Sequence, residues 1–267
     1  MGRAGIWVPK VKSVLITGAA KRIGRAIALG FAAKGWHIFA HYHGSVDDAQ
    51  TLADDITAAG GTASLIPADL ADAEAAQALI GDCIMERPLD CVINNAAAFS
   101  YDFPGALNDD VWQTAIAVNL RAPIIIGEEY YNYAKNNDRP SLIINMLDNK
   151  VFALNPDFFS YTIAKAGLHA ATQMMATAFA PTMRVCGLAP GITMISGRQT
   201  EESFKKAQTI NPLGRGCALE DIVSAALFIA TAPFASGETL TVDCGQSLLN
   251  LPRDVAFLNP AYQRPAP

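Results

Sequence analysis

Charge is scarce in this 267-residue chain and leans acidic: 17% of residues are charged, with 20 Lys+Arg against 25 Asp+Glu and a net charge of −5. Without a basic surplus there is no counterion-releasing surface, so nucleic acid is not expected as a partner. Cysteine is sparse. The five residues Cys83, Cys91, Cys186, Cys217 and Cys244 include no C-x-x-C pair, which argues against a disulfide framework or a zinc site and predicts reduced, mostly buried thiols. Long apolar runs are missing too: the longest uncharged stretch, residues 166–183, contains His169, Thr172, Gln173, Thr177 and Pro181, too polar for a membrane span of ~20 residues. The opening MGRAGIWVPK lacks the ~7–15-residue apolar core of a secretory signal, so a cytoplasmic protein without a membrane partner is expected. No G-x-S-x-G is present, which excludes the serine-hydrolase elbow. Neither a repeat nor a linker divides the chain, and 51% apolar residues suffice for a large core, so one domain over 1–267 is expected.

What is present is an alternation. Short β-rich runs at 11–17, 36–42, 62–68, 89–94, 141–147, 183–189 and 238–243 are separated by longer helical stretches, the pattern of βαβ units. It predicts an α/β fold: a single-domain, Rossmann-like, doubly wound parallel sheet of about seven strands. The first four runs are continuously apolar, as strands covered by helices on both faces must be. Ligands of such sheets bind beyond the carboxyl ends of the strands. The segment 250–267 carries four of the 15 prolines and no period, and reads as an irregular C-terminal surface tail.

After the first strand comes TGAAKRIG (17–24), in which Gly18 makes the turn and Gly24 lies early in an amphipathic helix. This places backbone N–H groups and a helix N-terminus against a pyrophosphate, although a purely structural turn has the same appearance. The spacing is neither G-x-G-x-x-G nor a P-loop. The second strand ends in HYHGS (41–45), with no carboxylate before Asp47 to accept ribose hydroxyls. Arg22, His43 and Ser45 instead offer donors and positive charge to a 2′-phosphate. His41 and His43 have no acidic or cysteine partner close in sequence, so no metal is expected. Asp69-Leu70 and Asn95-Ala96 end the third and fourth strands; each polar residue alone reads as a cap, and together they favour a cofactor crevice.

Tyr161 and Lys165 stand four apart on a predicted helix, so both project from one face. An ammonium beside a phenol favours phenolate and lowers a pKa that starts near ~10, although such pairs also arise by chance. The same helix, 160–180, is apolar on nearly every face, which predicts a sheet on one side and a two-fold-related subunit on the other.

In order and spacing, TGAAKRIG, NNAAAF (94–99), Asn119, YTIAK (161–165) and LAPGIT (188–193) resemble the short-chain dehydrogenase/reductase family, from about Lys10 to Leu249. TGAAKR, HYH-x-S, NNA-x-x-F, IINM-x-D and YTIAK are similar in particular to pteridine reductases. The resemblance implies NADPH, a homotetramer, and a proton-delivery set of Asn119, Tyr161 and Lys165, with Lys165 also holding the nicotinamide ribose. It implies cofactor contacts from Gly18, Ile23, Gly24, Asp69, Leu70, Asn95, Ala96, Tyr161, Pro190, Gly191 and Thr193, and a pterin stacked on Phe99. Where the family's usual catalytic serine falls, this chain has Leu147-Asp148-Asn149. An ionised Asp148 would repel the alkoxide of a ketone reduction. For a C=N bond of a pterin ring, hydride addition leaves a nitrogen that needs a proton, and an Asp148–Tyr161 pair can relay one. Reduction of a pterin-like heterocycle is therefore expected. A loop or capping acid at 148, a carbonyl reductase with Asp148 held protonated, and a non-catalytic NADP(H) sensor are the alternatives. Gly44 stands where the pteridine enzymes carry Arg, and VDCG replaces VDGG.

Overall fold

The computed structural model describes residues 11–137, 141–195, 200–233 and 235–258. Seven strands form one parallel sheet: β1 (Ser13–Ile16), β2 (His37–Tyr42), β3 (Thr62–Pro67), β4 (Cys91–Asn94), β5 (Ser141–Met146), β6 (Met183–Pro190) and β7 (Thr239–Val242). Their order is β3-β2-β1-β4-β5-β6-β7, all seven predicted runs included. Between them lie α1 (Arg22–Ala32), α2 (Val46–Ala58), α3 (Ala73–Glu86), α4 (Asp109–Ile116), α5 (Ala122–Lys135), α6 (Phe159–Ala178), α7 (Glu201–Gln208) and α8 (Leu219–Thr231). The direction of winding reverses between β1 and β4, which opens the crevice at that switch point.

The strand period of two splits the core between the two faces. Val14 and Ile16 of β1 pack with Ile27, Phe31, Leu52, Ile56 and Ile222 on one face; Leu15 packs with Leu79, Ile80, Ile126, Tyr130 and Met175 on the other. All four residues of β1 are fully buried, and the exposed or half-buried strands are the edges, β3 and β7. A buried polar chain fixes α6 to this frame: Asn94 Nδ2 donates to Asn145 Oδ1 (2.9 Å), Asn145 Nδ2 to Thr172 Oγ1 (2.9 Å), and Thr172 Oγ1 to the Leu168 carbonyl (2.7 Å). All five cysteines are free thiols, and only Cys244 is not fully buried. No helix among the described residues is long and apolar enough to cross a membrane.

Residues 250–258 do not behave as a surface tail. Three left-handed residues, Cys244 (φ 56°), Gly245 (φ 80°) and Asn250 (φ 46°), turn the chain back after β7, Leu251 is buried, and a 3₁₀ turn at Val255–Phe257 lies against the sheet's carboxyl end. The left-handed backbone at Cys244 is one that glycine adopts without strain. The rest of the tail, 259–267, lies outside the described residues.

Two buried histidines set an acid limit on this fold. Burial, the largest effect in each case, lowers the pKa of His37 and of His41 to about 4. The unfolded chain takes up these protons near ~6.5, so stability is complete above that pH and is lost as pH falls from there towards 4. Urea unfolding is expected to lose on the order of 2–4 kcal/mol between pH 7 and pH 5 from the two groups together. An unfolding free energy that does not change over this interval would exclude the assignment.

Candidate active site

The carboxyl ends of the strands open on one crevice of about 1490 Å³, more room than the ~300–1,000 Å³ of a single small-ligand site. Its floor on the β1–β4 side is stitched together by side chains. Thr17 Oγ1 accepts the Asn95 and Ala96 N–H groups at 2.9 Å each, and Asn95 Nδ2 donates to the carbonyls of Thr17 (2.9 Å) and Gly18 (3.2 Å). Gly18 N–H donates to His41 Nδ1 (3.0 Å), which leaves the proton on Nε2, 3.1 Å from the Ala68 carbonyl. His41 thus requires its neutral form to hold the glycine turn. Asp69 caps its own turn, accepting Ala71 N–H at 2.9 Å, and also lines the crevice.

Gly18, Arg22, Ile23, Gly24, His43, Asp69, Leu70, Asn95, Ala96, Gly191 and Thr193 all lie on the wall; Ser45 and Pro190 do not. Gly18 has a left-handed φ of 63°, and a Cβ on Gly24 would collide with the Gly18 carbonyl and stand 2.6 Å from Asn95 Nδ2. The N-terminus of α1 has neither a capping side chain nor an acid in its first turn, so its backbone donors are open to the crevice. Beside it, Arg22 Nη1 donates to the Ile195 carbonyl across the rim (2.8 Å), and Lys21 Nζ lies 2.8 Å from Asp48. Lys21 is a second cation at this rim that the sequence reading passed over. His43 Nε2 stands 3.9 Å from Asp69.

At the other end, Tyr161 donates its hydroxyl proton to Asp148 Oδ2 (2.9 Å) while Asp148 Oδ1 accepts Lys150 N–H (2.9 Å). Asp148 is therefore both the capping acid and the partner of the tyrosine. Burial raises the Asp148 pKa above the usual carboxylate range, and burial and then the Asp148 carboxylate raise Tyr161 well above 10. This corrects the expectation that Lys165 lowers the tyrosine: enclosure and a neighbouring anion outweigh the ammonium. Lys165 is itself lowered to about 8 by burial; its Nζ donates to the Met146 carbonyl (2.6 Å) and lies 5.9 Å from the Tyr161 ring centre. Lys165 lies behind the crevice wall, as does Asn119. Asn119 sits in a π-helical turn (Ala117–Arg121), and its amide exchanges two 2.8 Å hydrogen bonds with the backbone of Ala98. It anchors the loop that carries Phe99, and its amide is not bonded to Tyr161 or Lys165.

Sequence reasoning missed how this end is held. Asp102, buried in the loop after β4, accepts Ser160 N–H (3.0 Å) and the Ser160 hydroxyl, so it caps α6 one residue before Tyr161. Lys150, also buried, bonds Asn155 (2.8 Å) and Asp254 (2.9 Å). Phe99 lies edge-on to Tyr161 with ring centres 4.7 Å apart. Among the described residues no three His, Cys, Asp or Glu side chains come together to hold a metal.

A family model described as enoyl-(acyl carrier protein) reductase matches residues 18–247. The chain is 30% identical over 247 residues to 3beta-hydroxysteroid dehydrogenase 1 of Eggerthella lenta, covering 90% of this chain and 95% of that protein. It is 28% identical to the 3-oxoacyl-[acyl-carrier-protein] reductase FabG of Staphylococcus aureus, covering 88% and 97%. Its structure superimposes on the FolM alternative dihydrofolate reductase 1 of Brucella canis, complexed with NADP, with a TM-score of 0.85 and 33% identity, covering 94% and 97%. The Brucella suis protein of the same name gives 0.85 and 34%, covering 89% and 95%. With its unbroken β1-to-β7 sheet, glycine turn and Tyr161–Lys165 helix, the chain belongs to the short-chain dehydrogenase/reductase family of oxidoreductases.

Proposed function

We propose that this chain is an NADPH-dependent reductase of a pterin-like heterocycle. The observation that carries the reading is the 2.9 Å hydrogen bond that the Tyr161 hydroxyl donates to Asp148 on the crevice wall, with the pKa of each group raised by burial. The likeness to two FolM structures in complex with NADP supports it.

The open N-terminus of α1, flanked by Lys21 and Arg22, fits the diphosphate and 2′-phosphate of a dinucleotide. Gly18, Asn95, Gly191 and Thr193 would complete that side, and a bound dihydronicotinamide supplies a hydride. Tyr161, kept protonated by burial and by Asp148, delivers a proton to the ring nitrogen that becomes basic as the C=N bond is reduced. The Asp148 carboxylate, which lines the open crevice, then takes up a proton from solvent and passes it to the Tyr161 phenolate, restoring both groups. Lys165 faces Tyr161 as a positive charge that limits the cost of any phenolate. Asn119 is a positioning residue for the Phe99 loop.

Arg22→Ala is expected to weaken NADPH at least tenfold while leaving NADH nearly unchanged, since a charge-assisted contact to phosphate contributes about 1.5–3 kcal/mol. Titration of both nucleotides by fluorescence measures it; equal losses would remove the 2′-phosphate assignment. The activity itself is tested by a panel of dihydropterins, small ketones and 3-oxoacyl thioesters, followed by NADPH absorbance. A second reading, reduction of a carbonyl, has one observation in its favour. Burial raises Asp148, and a protonated Asp148 is a donor rather than a repelling charge. Turnover confined to ketones or 3-oxoacyl compounds would establish it instead.

Homo-oligomerisation belongs to the same proposal. One face of α6 packs on the sheet through Ala164, Leu168 and Met175, while Ile163 and Met174 on the same helix and Ile124 on α5 are exposed. Light scattering at micromolar concentration is expected to give a dimer or tetramer, and a monomer would rule the surface out as a subunit interface.

A further inference from the structure

We propose that the returning segment Leu251–Phe257 is a substrate-binding strap, and that Phe257 supplies the outer end of an aromatic wall for a second planar ring beyond the reacting heterocycle. The inference rests on the reading of the site as a pterin-type reductase and adds a specificity element to it.

The strap is held by charge rather than by the core. Asp157, whose side chain is fully buried, accepts Arg253 Nε and Nη2 at 2.7 Å each and Asp254 N–H at 2.8 Å. Asp254 in turn binds the buried Lys150 Nζ at 2.9 Å. Burial works to raise the Asp157 pKa, but the Arg253 hydrogen bonds and the Asp254 N–H bring it below the usual carboxylate range. Arg253 reaches solvent, but its loss would leave the buried Asp157 carboxylate without its cation, which is costly, and Leu251 is the only buried residue of the strap, so a need to bury apolar surface does not account for the arrangement. Its effect is to hold Phe257, 42% exposed, over the crevice.

The rings form a row leading away from the proton donor. Phe99 meets Tyr161 edge-on, and Phe158 stacks on Phe99 with centres 4.2 Å apart and planes 19° apart. Phe257 follows at 5.9 Å from Phe158 and 5.0 Å from Tyr101. Phe158 is held in this row by a left-handed backbone (φ 53°), a strained conformation for a bulky residue, with Lys150 Nζ 5.6 Å from its ring centre. A large exposed aromatic held on a crevice wall marks a surface made for a flat ligand. The crevice volume leaves room for such an extension beside a dinucleotide.

The test compares a dihydropterin bearing a short 6-hydroxyalkyl group with dihydrofolate, which carries an aryl ring at that position. In Phe257→Ala, kcat/KM for dihydrofolate is expected to fall at least tenfold more than for the hydroxyalkyl compound, mainly through KM, while Phe257→Tyr restores most of the loss. Phe257 is partly exposed at the edge of the fold, so the change leaves the melting temperature near that of the parent. Arg253→Ala, which releases the strap, is expected to shift the substrate ratio the same way, with the NADPH dissociation constant within twofold of the parent. Equal losses on both compounds, or none on either, would overturn the strap. If the unaltered protein reduces neither compound, the pterin reading fails at that step and the strap proposal falls with it, before any variant is compared.

Discussion

Asp148→Ser is expected to lower kcat/KM for a dihydropterin by roughly 10²–10⁴-fold, the span of lost acid–base catalysis, with NADPH binding unchanged within about twofold. Serine keeps a hydroxyl to cap Lys150 N–H, so the 3₁₀ turn at Asn149–Val151 survives while the group that recharges Tyr161 is removed. The tyrosine also loses the acceptor that holds its hydroxyl at 2.9 Å. Tyr161→Phe should cost at least as much, and the double variant little more than the worse of the two, because the pair acts as a unit. Retained dihydropterin turnover in Asp148→Ser would return Asp148 to the rank of a loop cap. A gain of ketone reduction in the same variant would favour the carbonyl reading.

Gly24→Ala carries the second large effect, and at the opposite end of the crevice. The added methyl group meets the Gly18 carbonyl and Asn95 Nδ2 (2.6 Å), neither of which is the free end of a flexible side chain. Gly18 is tied to His41, and Asn95 bonds the carbonyls of Thr17 and Gly18. Overpacking of this kind costs about 1–3 kcal/mol. Relief requires α1 to move away from the loop or the loop to open, so the backbone donors no longer converge. NADPH affinity should fall at least tenfold, with a lower melting temperature that saturating NADPH only partly restores. Unchanged affinity would show that this turn is a structural corner and not a phosphate site.

The strands were legible because their signal is local. A run such as VLI in β1 needs no partner to declare itself, and its continuous apolarity already requires cover on both faces. The same holds for α6, expected over 160–180 and found at Phe159–Ala178. That Gly18, Asp69 and Asn95 line the crevice was legible from their positions just beyond strand ends, and that Gly24 does was legible from its place in the first turn of the helix that follows. What stayed hidden depends on long-range pairing. Nothing around Asp157 announces Arg253, 96 residues later, and nothing around Asp102 announces that it caps a helix 58 residues away. The direction of the Tyr161 shift was hidden for a related reason. The i,i+4 spacing displays Lys165, whereas enclosure and the Asp148 contact exist only once β5 and α6 are side by side.

The division of labour between the sheet and the aromatic row has an evolutionary reading. Phe99, Tyr101, Phe158 and Phe257 belong to none of the buried apolar clusters that hold the sheet and helices together. They hang from loops fixed by a few polar anchors: the Asn119 amide, the Asp102 cap and the Asp157–Arg253 pair. Mutations in the row therefore draw little on folding stability and act almost wholly on what the crevice accepts, whereas mutations in β1 or α6 are filtered by folding first. A scaffold built this way can drift between substrates through single steps. It is consistent with such drift that chains sharing this architecture carry names as different as a steroid dehydrogenase, an acyl-carrier reductase and a dihydrofolate reductase.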